Sequence, residues 1–223
     1  MYEKLELLID GTWRQGSEDK SEPVYNPATG EVLGTLPHAS VSDLDDALLA
    51  SQKGFDVWRT VTAFERQKTI EKAARLLDDR FETIAANLTR EMGKPLAEAK
   101  VELQMSIDIL RWYGEEGKRI YGRTIMPRVP GMQQTVRKDP VGPVIAFVAW
   151  NFPAVNVMRK VAGSIAAGCS VIIKPSEETP ATAIAIGRAL TDAGLPDGVL
   201  NIVFGVPADV SEHLCKSPIP RKL

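Results

Sequence analysis

The period of apolar and polar positions changes several times along the chain, and each change marks an element. From Val144 to Trp150 the run is short, continuous and rich in β-branched residues, which predicts a strand buried on both faces, as in a parallel sheet. Pro153 then falls where the first turn of a helix tolerates a missing N–H. Val157, Val161 and Ile165 recur at i, i+4 and i+8 up to Gly168, which predicts a helix. A second strand follows at Ser170 to Lys174, a second helix at Pro180 to Ala193, and a third strand at Leu200 to Phe204, ending at Gly205. This alternation, with right-handed crossovers expected, predicts an α/β fold with a doubly wound parallel sheet of the nucleotide-binding type. Ligands bind at the carboxyl ends of strands in such sheets, an edge that here carries Asn151 and Lys174-Pro175-Ser176-Glu177.

Upstream, Leu7-Leu8-Ile9 and Thr12-Trp13 flank Asp10-Gly11, a dipeptide that supplies positive φ and predicts a small hairpin. Asn26 to Gly30 is a second turn signal, leading into Val32-Leu33-Gly34. Helices dominate afterwards. Ser42 to Asp45 reads as a capping stretch for a helix from Leu44 to Lys53, and Thr62 with Glu65 as a Thr-x-x-Glu box for a helix to about Asp79. Phe81 to Glu91 predicts a helix closed by Gly93. Pro95 starts another, in which Val101, Met105, Ile109 and Tyr113 form an i+4 apolar row until Gly122. Arg123 to Pro140 has no helical period, alternates over Gln134 to Lys138, and reads as an extended arm. The expected organisation is therefore 1–122, an arm at 123–140 and a core at 141–223. A short helix-like piece from Ala208 to Cys215 closes the core, with a fourth strand about to begin near Pro218 to Leu223.

Composition narrows the function classes. The chain has 223 residues, 44% hydrophobic and 25% charged, the range of an ordinary globular protein of one or two domains. A formal net charge of −2 without a long basic run gives no reason to expect a nucleic-acid partner. The start, MYEKLELLIDG, lacks the apolar core of a signal peptide. Val161 to Ile173, the longest weakly apolar stretch, is too short and too rich in glycine and alanine to cross a bilayer. The cytoplasm is the expected compartment, with no membrane partner. Two cysteines make no disulfide framework.

Three positions have candidate chemistry, each with a plainer alternative. Asn151, between a strand end and a helix start, is placed either to cap that helix or to offer a neutral amide to an oxyanion. Glu177 lies where dinucleotide folds place an acid that accepts hydrogen bonds from the ribose hydroxyls and repels a 2′-phosphate, which favours NAD over NADP; the alternative is a solvated Lys174–Glu177 pair. The usual Gly-x-Gly-x-x-Gly is missing, since Gly142 precedes the first strand and Gly163 and Gly168 lie within and after the helix. Arg159, two turns past Asn151, suits a substrate carboxylate through a bidentate contact, or is an ordinary solvent-facing arginine. Cys169, ahead of a buried strand, reads as inert core, and Cys215 lies outside any recognisable site. His38 and His213 are isolated, with no metal-ligand spacing.

Trp-Asn-Phe-Pro (150–153), Ala-Ala-Gly-Cys (166–169), Lys-Pro-Ser-Glu-x-Thr-Pro (174–180) and Ala-Gly-Leu-Pro-x-Gly-Val-x-Asn (193–201) occur together and in order. With Asn-Pro-Ala-Thr-Gly-Glu-Val (26–32) and Met-Gly-Lys-Pro (92–95), they make the chain resemble the NAD(P)-dependent aldehyde dehydrogenase superfamily from Ile9 onward, closest in motif to succinate-semialdehyde dehydrogenases. The resemblance implies a Rossmann-like cofactor domain in which Asn151 serves the oxyanion. It also implies that Trp150, Asn151, Lys174, Pro175, Ser176, Glu177 and Gly205 contact NAD and that Arg159 holds a carboxylated aldehyde. The arm, by the same resemblance, assembles a homodimer or homotetramer. In that family a cysteine attacks the aldehyde, hydride passes to the nicotinamide, and a glutamate activates water. Neither that cysteine nor that glutamate has a counterpart here, so the chain reads as an N-terminal fragment, inactive alone. The other readings are a non-catalytic structural or nucleotide-binding module and an aldehyde dehydrogenase that transfers the acyl group to coenzyme A.

Overall fold

The computed structural model describes residues 2–223. β1 (Leu7–Ile9) and β2 (Thr12–Arg14) form the expected hairpin, with Asp10 at φ 47° and Gly11 at φ 74°, the positive angles a primed two-residue turn requires. β3 (Ser21–Tyr25) and β4 (Val32–Pro37) pair around the Asn26–Gly30 turn as a separate ribbon. Helices α1 (Val41–Trp58), α2 (Ala63–Asp79), α3 (Phe81–Met92) and α4 (Leu96–Gly117) follow. The arm is a second detached hairpin of β5 (Arg123–Ile125) and β6 (Gln134–Val136). The rest is β7 (Val144–Phe147), α5 (Pro153–Ala166), β8 (Val171–Lys174), α6 (Pro180–Asp192), β9 (Leu200–Ile202) and α7 (Pro207–Lys216).

The main sheet runs β2-β1-β9-β8-β7. β7, β8 and β9 are parallel, with Val144 opposite Val171 and Val171 opposite Leu200, while β1 joins β9 antiparallel through Leu8 and Ile202. Both crossovers step in the same direction, so right-handedness puts α5 and α6 on one face. α2, α3 and α4 pack outside that pair, and α1 with α7 covers the opposite face. On the far side of β7 the chain returns: Lys222 bridges Val144 in parallel, Ile145 N–H donates to Lys222 O (3.0 Å) and Arg221 N–H to Pro143 O (2.8 Å). The strand order thus reverses at β7, and the carboxyl end of β7 is the topological switch point where ligands bind in open α/β sheets.

Several elements differ from the sequence reading. β7 ends at Phe147 and not at Trp150, because Val148 N–H makes the last ladder bond to Lys174 O (3.1 Å) and the chain then turns outward. β9 likewise stops at Ile202, short of Phe204. α1 starts earlier than Leu44 and runs past Lys53: its cap is Ser40, which with Asp43 forms a reciprocal capping box. Thr62 does cap α2 through Glu65 N–H, but the Glu65 side chain pairs with Lys68 and does not return to the cap. In α4 the expected i+4 row is partly on the wrong face. Val101 and Met105 are exposed, and the packed face is Ala99, Leu103, Ser106, Ile107, Leu110 and Gly114. Small residues win there because the neighbours come close: a Cβ on Gly114 would meet Ile70 Cγ2 at 2.9 Å.

Candidate functional site

Asn151 sits in the turn between β7 and α5. The residue that caps α5 is Phe152, which has no polar side chain, and Pro153 occupies the first helical position. Asn151 therefore does not cap the helix. Its Oδ1 accepts a hydrogen bond from Asn156 Nδ2 at 3.3 Å, and its own amide N–H groups have no acceptor among the described residues. Trp150 and Phe152 on either side are half exposed. Asn151, Phe152, Val101, Met105, Met92 and Lys94 line one mostly apolar groove of about 620 Å³. The α4 residues that left the core thus form a wall facing this turn.

The carboxyl end of β8 holds the second group. Lys174, almost fully buried, donates to Glu177 at 2.6 Å, and Gly205 N–H, just past β9, donates to the same carboxylate at 3.2 Å. Gly205 holds φ 147°, a conformation side chains resist, and this turn presents its N–H to Glu177. Ser176 bonds Glu178, and Pro175 is buried. The Lys174–Glu177 pair exists, but it is fixed between two strand ends and not loosely solvated. Trp150, Asn151, Lys174, Pro175, Ser176, Glu177 and Gly205 are thereby all brought to one edge of the sheet.

Two buried carboxylates that no local pattern flagged complete this edge. Neither α5 nor α6 has a local side-chain cap, and both begin with proline. Glu102 of α4 supplies the cap for α5, its Oε1 accepting from Ala154 N–H (2.9 Å) and Val155 N–H (3.2 Å), while Oε2 is ion-paired with buried Lys94. Glu91 of α3 does the same for α6, accepting from Ala181 N–H (2.8 Å), Thr182 N–H (3.0 Å), the Thr182 hydroxyl and Tyr2 OH (2.9 Å). Complete burial pushes Glu91 up to about 7, against the pull of these donors, and burial next to Glu91 raises Tyr2. The helix N-termini that hold pyrophosphate in the common dinucleotide fold are thus filled by protein carboxylates. This is the structural counterpart of the missing glycine fingerprint. The only sequence trace was Lys94 inside Met-Gly-Lys-Pro, and a glutamate set between Ala99 and Leu103 on the packed face of α4.

Arg159 is exposed and makes no ion pair or hydrogen bond among the described residues. It lies two turns along α5 from Asn151 and lines a different groove, of about 540 Å³, beside β7 with Phe147, Lys160, Gly163, Lys222 and Leu223. Within this chain the two residues do not share a groove. Cys169 is buried at the amino end of β8, the opposite edge of the sheet from Asn151 and Glu177, and Cys215 is exposed on α7. His38 and His213 contact Glu22 and Asp45, and no metal-binding cluster occurs among the described residues. Among the described residues no helix is long and apolar enough to cross a membrane.

The aldehyde dehydrogenase family profile matches residues 13–223. The chain is 48% identical over its full length to 4-(hydroxymethyl)benzenesulfonate dehydrogenase TsaD1 of Comamonas testosteroni, covering 47% of that protein. It is 37% identical over 98% of its length to the NADP-dependent succinate-semialdehyde dehydrogenase GabD of Escherichia coli, covering 45% of it. Among solved structures it superposes on succinate-semialdehyde dehydrogenase from Burkholderia pseudomallei with a TM-score of 0.97 at 38% identity, over 99% of this chain and 46% of that one. The chain spans about half the length of the relatives it matches.

Proposed function

Since the chain belongs to the aldehyde dehydrogenase family, we propose that it is the cofactor-binding half of an NAD-dependent enzyme that oxidises a carboxylated semialdehyde, such as succinate semialdehyde, to the acid. The observation that carries this reading is the Asn151 amide, left without an acceptor at the switch point and facing an apolar groove. A neutral donor in such a place stabilises the oxyanion formed when a nucleophile adds to an aldehyde carbonyl, and does so best where water is excluded. The nucleophile and the base for hydrolysis belong, in this reading, to the part of the relatives that this chain does not cover.

The residues present fit the cofactor's adenosine end. Glu177 retains acceptor capacity beyond its bonds to Lys174 and Gly205, so a ribose diol has a carboxylate to bond and an ammonium beside it, and a 2′-phosphate meets a negative charge. When bound, NAD supplies the hydride acceptor. Arg159, with no partner among the described residues, is the proposed contact for the remote carboxylate. A sulfonate presents the same charge, and the first relative named above acts on a benzenesulfonate according to its name. The β5–β6 hairpin exposes Ile125, Met126 and Met132, apolar surface suited to the assembly role proposed for it.

Steady-state kinetics of the complete enzyme test the reading. NAD should be preferred over NADP, and succinate semialdehyde over the uncharged aldehyde of equal length. Equal use of both cofactors, or of charged and uncharged aldehydes, rejects the corresponding half of the proposal. 4-Formylbenzenesulfonate, run alongside, separates a carboxylate site from a sulfonate site.

A further inference from the structure

The turn that carries Asn151 has little side-chain anchorage of its own among the described residues. Pro153 lacks an N–H, Phe152 has no side-chain acceptor, and the one side-chain bond of Asn151 is a 3.3 Å contact to the next helical turn. The first free amides of α5, Ala154 and Val155, are both taken by Glu102 Oε1, 52 and 53 residues away in sequence. The second carboxylate oxygen holds Lys94, and the Lys94 ammonium lies 4.5 Å from the centre of the Phe152 ring. One ion pair therefore grips both the ring next to Asn151 and the helix start that follows it. Its side chains are 8% and 2% exposed, so water does not loosen it.

From this geometry we infer that Glu102, together with Lys94, is a positioning residue for Asn151: it holds the first turn of α5 so that the Asn151 amide is presented to the apolar groove. The inference rests on the oxyanion role proposed for Asn151. A donor stabilises developing charge only if it is already oriented when the charge appears, and a displacement of about 1 Å costs on the order of 100-fold in rate. A carboxylate is the stronger cap because it also meets the positive end of the helix dipole. Unaccompanied, its charge would oppose an oxyanion nearby. Lys94 removes that objection by neutralising it within the same cluster.

A double-mutant cycle in the complete enzyme is the test, with kcat, KM and the unfolding midpoint measured for wild type, Asn151→Ala, Glu102→Gln and the double variant. Asn151→Ala should lower kcat by about 10²–10³-fold. Glu102→Gln, which keeps one cap oxygen but releases Lys94, should lower kcat about 10- to 100-fold with little change in KM. In the Asn151→Ala background the same substitution should cost less than about twofold, because there is no longer an amide to misplace. A full Glu102→Gln loss persisting in that background overturns the inference, since Glu102 would then act on the fold alone. An Asn151→Ala enzyme with unchanged kcat would sink the oxyanion reading and the inference with it. If Glu102→Gln yields no folded protein, Lys94→Gln replaces it in the cycle, with Lys94→Arg as the conservative rescue. A Lys94→Gln loss that vanishes in the Asn151→Ala background and is restored by arginine supports the assignment, and an additive or unrescued loss overturns it.

Discussion

The turns from β7 to α5 and from β8 to α6 are made of the same parts. Each leaves a parallel strand, starts its helix with proline, lacks a local side-chain cap, and is capped by a glutamate from an earlier helix. Their surroundings diverge. Glu102 is paired with a buried lysine, and the turn it serves opens onto a groove lined by exposed Asn151 and Phe152. Glu91 has no cation on it among the described residues, is held by amide and hydroxyl donors, and serves a turn whose Thr179 and Pro180 are buried. One turn presents a neutral amide, and the other backs a strand end that presents a carboxylate. The helix start is the shared mechanical part, and the two turns differ in the group they expose.

The largest test of this contrast is stability. Glu102→Ala strands the Lys94 charge in the interior and should cost about 3–5 kcal/mol in denaturant unfolding. Glu91→Ala, which leaves only neutral donors unpaired, should cost about 1–3 kcal/mol. Equal losses would mean that the ion pair adds nothing to the cap.

Next comes pH. Glu91 is raised from its ordinary 4.5 to about 7 by burial, so between those values the folded chain holds a proton that the unfolded chain releases. The stability due to this group is therefore complete below pH 4.5 and is lost as pH rises through 7, by about 2–3 kcal/mol. Glu91→Gln cannot titrate and should lack this slope in urea midpoints compared at pH 5 and pH 8. Parallel curves for wild type and variant would show that the donors around Glu91 keep it charged throughout.

Two smaller effects separate substrate from cofactor. Arg159→Ala should remove about 1.5–3 kcal/mol of charge-assisted bonding, or roughly 10- to 100-fold in kcat/KM for a carboxylated aldehyde, with an uncharged one losing far less. Equal losses would remove the argument for a semialdehyde. Glu177→Ser should raise KM for NAD and improve the use of NADP, shifting the preference about tenfold, or ~1.4 kcal/mol. An unchanged preference would leave Glu177 with only its structural bonds to Lys174 and Gly205.

The sequence by itself determined most of the elements and gathered the candidate residues at one edge of the sheet. Asp10-Gly11, the apolar runs of β7 and β8, and the prolines that open α5 and α6 act within a few residues through φ, missing N–H groups and side-chain period, so the reading found them. Asn151 and Glu177 were legible as candidates for the same reason, as polar residues three or four positions past the ends of buried strands. Only the tertiary structure decided which face of α4 packs, because Gly114 and Ser106 signal close approach only once a neighbour is present. It alone decided that Phe152, and not Asn151, caps α5, which leaves the amide free. It alone brought Glu102 and Glu91 to the two helix starts, across 52 and 90 residues. Unsatisfied helix N–H groups are an obligation that local sequence announces, but the partner that meets it is chosen by packing.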